Sequence, residues 1–183
     1  MSTEVSLTVV GTGALADLLR ESVKSDTTAS VIVAGVDGSV GAVSIGDLSD
    51  AMIDEAFEKP MQTVIAALQQ AHSSGCRRIV VVVPTTGMSG GSHYAVHAAL
   101  AESARILVKS AARQWGAHGI TVNAVAVDPQ WFDIDPTVSG PVSIAPRALV
   151  GEVDPVHTVS FLCSEGAGHV TGQTLVCDGG LWM

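Results

Sequence analysis

Thr171-Gly172-Gln173-Thr174-Leu175-Val176-Cys177-Asp178-Gly179-Gly180 sits at the end of the chain, and residues 173–177 within it read as a short strand. Working outward from it, four more strands are legible. Residues 120–127 form the fourth, 79–83 the third, 30–35 the second and 6–10 the first. The 30–35 run, Ser30-Val31-Ile32-Val33-Ala34-Gly35, is apolar on both faces, as in a parallel sheet covered on both sides. Helical patterns lie between the strands. Leu15, Leu18 and Leu19 share one face over 14–24. Asp47 or Ser49 caps a helix running toward His72, with Pro60 starting or kinking it. A Gly/Ser loop over 87–92 leads into a long helix ending near Gly116, and Asp154 or Pro155 opens the last one. Residues 129–151 read as irregular. Strand and helix alternation predicts a doubly wound parallel sheet, α/β and Rossmann-like, with five strands in a single domain over 1–183.

Composition narrows the function classes. Hydrophobic residues make up 47% and charged ones only 15%, against about 25% charged in ordinary domains. Such a surplus of apolar surface predicts a subunit interface. A net charge of −9 without a basic run argues against nucleic acid and anionic membranes as partners. Cys76, Cys163 and Cys177 are odd in number and far apart, which suits reduced thiols in a cytoplasmic protein. Neither a signal segment nor a stretch long enough to span a bilayer is evident.

Four stretches carry a family resemblance. Gly75-Cys76-Arg77-Arg78-Ile79-Val80-Val81-Val82 resembles a G-x-R-I-V strand, and Gly119-Ile120-Thr121-Val122-Asn123-Ala124-Val125 a G-I-R-V-N-A-V strand. Val159-Ser160-Phe161-Leu162-Cys163-Ser164 is similar to V-x-F-L-x-S, and residues 171–180 to T-G-Q-x-L-x-V-D-G-G. The chain therefore resembles the short-chain dehydrogenase/reductase family over about two-thirds of its length. That family normally has seven strands. Val33-Ala34-Gly35 resembles the family's N-A-G with its Asn lost, which implies that the family's second and third strands are deleted. Those strands flank the adenosine half of the dinucleotide.

The resemblance also implies where an Asn-Ser-Tyr-Lys set would stand. Counting back from Asn123 puts the Tyr position at His97 and the Lys position at Ala101. The Ser position falls at Thr85 or Thr86, and the Asn position at Pro60. None of the four residue types is kept. A register shift of three brings Tyr94, the chain's only tyrosine, into the catalytic place. Four residues on lies Ala98, and the next lysine, Lys109, is about 22 Å away along a helix. A tyrosine without a cation beside it keeps a pKa near 10 and is a poor base at neutral pH.

Other constellations have a functional and a structural reading. Gly11-Thr12-Gly13-Ala14-Leu15-Ala16 satisfies G-x-G-x-x-A between a strand and a helix, with Asp37 placed for a ribose. A tight turn alone would also use those glycines. His93 and His97 are four apart, but no third ligand accompanies them, so no metal site is expected. His97 near Thr85, Thr86 or Ser89 permits base chemistry toward a hydroxyl, though no acid is placed to orient the ring. The 93–115 helix carries Val96, Leu100, Ala104, Leu107 and Ala111, with Ala98, Ala99, Ala101 and Ala112 widening the apolar surface. In the family this helix forms a dimer interface, and the C-terminus, here Leu181-Trp182-Met183, a second one. Trp131 and Phe132 stand where the family touches nicotinamide, placed to anchor a partner or to close an empty pocket.

Loss of the tetrad with retention of the interface elements predicts a pseudoenzyme. It would be a non-catalytic structural subunit, joined to an active family oxidoreductase or to itself, with no cofactor bound by the chain alone. An NAD(P)-dependent oxidoreductase using His97 or Tyr94 as an atypical acid is the alternative. A lyase or isomerase acting on an acyl thioester and a homo-oligomeric binding module also stay open.

Overall fold

The computed structural model describes residues 5–35, 40–139 and 154–181. Five strands form one parallel sheet: β1 (Leu7–Val10), β2 (Ala29–Val33), β3 (Arg78–Pro84), β4 (Thr121–Val127) and β5 (Thr174–Cys177). The helices are α1 (Ala14–Ser22), α2 (Asp50–Ile53), α3 (Lys59–Ser73), α4 (Thr86–Ser89), α5 (Ala95–Trp115) and α6 (Val156–Leu162). Every residue of β3 and β4 is buried, which explains the unbroken apolar run of β3. Among the described residues, no helix is long and apolar enough to cross a membrane.

Alternate residues of each strand feed two cores. Ile79, Val81 and Val83 face α3 and α5, while Val80 and Val82 face α1 and α6. The sheet order is β1-β2-β3-β4-β5, the order of the chain. It is the order left when strands 2 and 3 are taken from a 3-2-1-4-5-6 sheet extended by a seventh strand beyond the sixth. Each connection steps to the next strand in the same direction, yet α1 and α6 lie on one face and α3 and α5 on the other. Two of the four crossovers are therefore left-handed, against a rule that about 98% obey. In a longer sheet, α1 would lead to a strand on the far side of β1, and its position here is the one such a path requires.

Local chemistry sets the element ends. Ser49 Oγ accepts from the Met52 N–H at 3.4 Å and caps α2. Pro60 stands in the first turn of α3, where it needs no N–H, and a π turn over Asp54–Glu58 joins α2 to α3. The expected kink is thus absorbed just before the proline. The Gly/Ser loop expected over 87–92 is partly helical, because α4 occupies its first half. Thr85, buried and hydrogen-bonded through its N–H to the Val127 carbonyl at 2.9 Å, starts that turn.

The 171–180 segment is held by Asn123, which is fully buried. Asn123 Nδ2 donates to the Val170 carbonyl at 2.8 Å, and its Oδ1 accepts from the Gln173 N–H at 3.1 Å. Thr171 Oγ1 accepts from the Val122 N–H at 3.2 Å. Asp178 Oδ1 accepts from the N–H groups of Gly180 and Leu181, closing a turn in which Gly179 and Gly180 have φ of 68° and 81°. The cysteines are free, with Cys76 and Cys163 buried.

Candidate functional site

Open α/β sheets bind ligands outside the carboxyl ends of their strands. Here a small pocket lies at that end, lined by Ala34 and Gly35 after β2, Pro84 of β3, His97 and Leu100 of α5, and Phe132 and Ile134 beyond β4. Its free space is about what one water molecule needs.

Phe132 is one of the lining residues, and a local turn sets its place. Asp128 Oδ1 accepts from the Gln130 N–H at 2.9 Å and starts a 3-10 turn over Pro129–Phe132. Asp133 then takes φ of 57°, turning the chain back. Phe132 is 8% exposed, and its ring lies on Gly35 so closely that a Cβ there would stand 2.0 Å from Cδ1. The ring thus forms one wall of the pocket against Gly35. Trp131 is partly buried against the same core.

His97 is 7% exposed, and burial holds its pKa below the ordinary value. The neighbouring Val40 backbone opposes that shift in part. The same loop is tied to the start of α5 again, where the Val43 N–H donates to the His93 carbonyl at 2.7 Å. Tyr94, at the N-terminal end of α5, meets the His97 ring edge-on at 5.3 Å. His93 does not share a helix face with His97. It precedes α5 with φ of 65°, is exposed, and contacts Ser92 Oγ through Nδ1 at 3.0 Å.

Ala101 is fully buried beneath α4, and a Cβ on Gly87 would stand 2.7 Å from the Ala101 methyl. The Thr85 and Thr86 hydroxyls are buried without a hydrogen-bond partner among the described residues. Ser89 Oγ reaches the Thr85 carbonyl at 3.5 Å within its own turn. Pro60 is half-buried at the start of α3 and does not line the pocket.

The glycine turn has a structural cause on one side and an opening on the other. Gly11, at φ of 132°, lets β1 approach β2, since a Cβ would stand 2.9 Å from Val33 Cβ. Its carbonyl accepts from Arg20 at 3.2 Å. Gly13 precedes α1 at φ of 88° with nothing within 4 Å of an added Cβ. Asp37 lies outside the described residues, as do Trp182 and Met183.

Much of the small-residue surface of α5 is spent on the chain's own core, including Ala98, Ala101, Ala104, Ala111 and Ala112. Ile65 of α3 and Ile106 of α5 stay exposed, as do Phe161 of α6 and Val176 of β5.

The family model described as enoyl-(acyl carrier protein) reductase matches residues 13–182. The curated relative 3-oxoacyl-(acyl-carrier-protein) reductase FabG of Staphylococcus aureus (strain Mu50) is 31% identical over 140 residues, 71% of this chain and 57% of the relative. FabG of Escherichia coli (strain K12) is 28% identical over 145 residues, covering 75% of this chain and 57% of the relative. The chain thus spans little more than half the length of these relatives. A solved structure titled "Dehalogenation enzyme" matches 90% of this chain and 71% of its own with a TM-score of 0.60 at 23% identity, which bears on the fold.

Proposed function

The chain belongs to the short-chain dehydrogenase/reductase family, and from that premise we propose that it is a non-catalytic member working as a structural partner of an active family oxidoreductase. One observation carries the reading: at the two helix positions where the resemblance places the family's acid–base pair stand a buried histidine and a buried alanine. At position 97 stands a histidine ring that is 7% exposed. At position 101 a methyl group lies under α4. A general acid must come within hydrogen-bond reach of the atom it protonates; Ala101 has no group to offer, and His97 lines a pocket with room for about one water molecule.

The residues do not fit the family's nicotinamide cofactor at the reacting end. Phe132 covers Gly35, and no cation stands at position 101 to meet a ribose. Among the described residues, the open side of the Gly11–Gly13 turn is compatible with a dinucleotide, at its pyrophosphate. Binding of NAD(P) by the chain alone is therefore not expected.

Exposed Ile65, Ile106, Phe161 and Val176 supply apolar surface for a partner. Calorimetric titration with NADH and NADPH, alone and with an active reductase of the family, tests the reading. Saturable binding only in the mixture, with a co-migrating complex, supports it. A stable homo-oligomer that turns over a 3-oxoacyl thioester unaided refutes it.

A second reading, an NAD(P)-dependent oxidoreductase with an atypical acid, is favoured by the Tyr94–His97 ring contact beside the pocket. On that reading, His97→Ala or Tyr94→Phe removes a measurable rate.

A further inference from the structure

We infer that the free edge of β1 is a self-association surface: β1 pairs antiparallel with β1 of a second copy of this chain, about a two-fold axis at Thr8, and joins two five-stranded sheets into one. The inference goes beyond the proposed function and does not depend on it, since it concerns the sheet edge and not the reacting end of the fold.

The hydrogen-bond phase of β1 sets what the edge offers. The Ala29 N–H donates to the Ser6 carbonyl at 2.9 Å, and the parallel register sets Leu7 beside Ala29 and Val9 beside Val31. In a parallel ladder, alternate residues turn their N–H and C=O toward the neighbouring strand and the residues between turn theirs away. Ser6, Thr8 and Val10 therefore bond toward β2, whereas the N–H and C=O of Leu7 and Val9 point outward. β1 is an end strand of the sheet, and among the described residues those four groups have no hydrogen-bond partner. Their spacing is self-complementary. A two-fold axis at Thr8 sets each Leu7 opposite Val9 of the second copy, in the kind of pair that exchanges both backbone hydrogen bonds.

The side chains agree with this pairing. Leu7-Thr8-Val9-Val10 holds no charge and no proline, the features that keep natural edges apart. Leu7, Val9 and Val10 are only half-buried by their own cores, and Val5 just before them is 55% exposed. Thr8 is exposed, on the opposite face from Leu7 and Val9. Across the axis the two threonines make the closely spaced, non-hydrogen-bonded kind of pair, in which Thr–Thr contacts stabilise. The joined sheet has about as many strands as open twisted sheets reach.

Sedimentation of the full chain at roughly 100 µM tests the pairing. The wild-type protein is expected at twice the 18.7 kDa mass of the chain. Thr8→Glu sets two like charges against each other across the axis, in chains that already carry −9 each. It is expected to weaken association at least tenfold and, at an exposed site, to leave the urea midpoint unchanged. A wild type that stays monomeric overturns the inference. So does a Thr8→Glu protein that associates as well as wild type, since the copies then meet through another surface. Cross-linking locates the contact independently. In a Cys177→Ser background, Thr8→Cys should form a disulfide between copies on mild oxidation, because Cα atoms so paired lie about 4.5 Å apart. Absence of that disulfide, with or without a link through Val176→Cys on the opposite edge, overturns the inference. Both readouts use the isolated chain, so they succeed or fail independently of any complex with a reductase.

Discussion

Gly87 and Ala101 meet so closely that neither position has room to grow: a Cβ on the glycine would stand 2.7 Å from the alanine methyl and 3.1 Å from the Glu102 nitrogen. The contact seats α4 across α5. Rebuilding the family's pair with His97→Tyr and Ala101→Lys is expected to fail. The lysine would bury an unpaired charge at a cost of about 3 kcal/mol. Urea denaturation should show that loss, and assays with NADPH and a 3-oxoacyl thioester should show no gain in rate. Gly87→Ala alone should cost about 1–3 kcal/mol by overpacking.

The pH dependence of stability should carry the signature of His97. Its pKa is depressed in the fold, chiefly by burial, from an ordinary value of 6.5. Below that pH the unfolded chain takes up a proton that the folded chain resists, so stability falls as pH drops. His97→Gln, which removes the titrating ring but keeps a polar side chain, should flatten this fall. Urea midpoints at pH 7.5 and 5.5 in both proteins check it, and an equal drop in the two refutes it.

Asn123 should be the most sensitive polar residue in the fold. Its amide satisfies the Val170 carbonyl and the Gln173 N–H. Asn123→Ala strands both groups and should cost about 2 kcal/mol or more. Asn123→Asp loses the donor to Val170 and should be no better. Chemical denaturation of the two variants measures this.

The three thiols should separate by reactivity. Burial pushes the Cys163 thiol up to about 12 and raises that of Cys76. The thiolate is the reactive form. Iodoacetamide at pH 8 should therefore label half-buried Cys177 first and reach Cys163 only after unfolding, as peptide mass analysis would show.

Strand and helix placement was legible because it depends on local pattern. The apolar runs at 79–83 and 120–127 are the two strands buried on both faces, and Ser49 caps a helix as its side chain predicts. The short turn α4 was not legible in its Gly/Ser-rich sequence, because packing against Ala101 holds it there. The His93–His97 spacing suggested a shared face, but the helix begins only at Ala95.

What the residues themselves determined is the parallel α/β sheet, its five strands and the absence of a Tyr–Lys pair, since each follows from periodicity or residue identity. Tertiary structure alone decided the rest. Only the folded chain puts α1 on its unusual face, lays Phe132 on Gly35, and brings His97 to the pocket beside Pro84 and Ile134. These are contacts between segments far apart in the chain, and their geometry comes from how the layers pack, which no local pattern encodes.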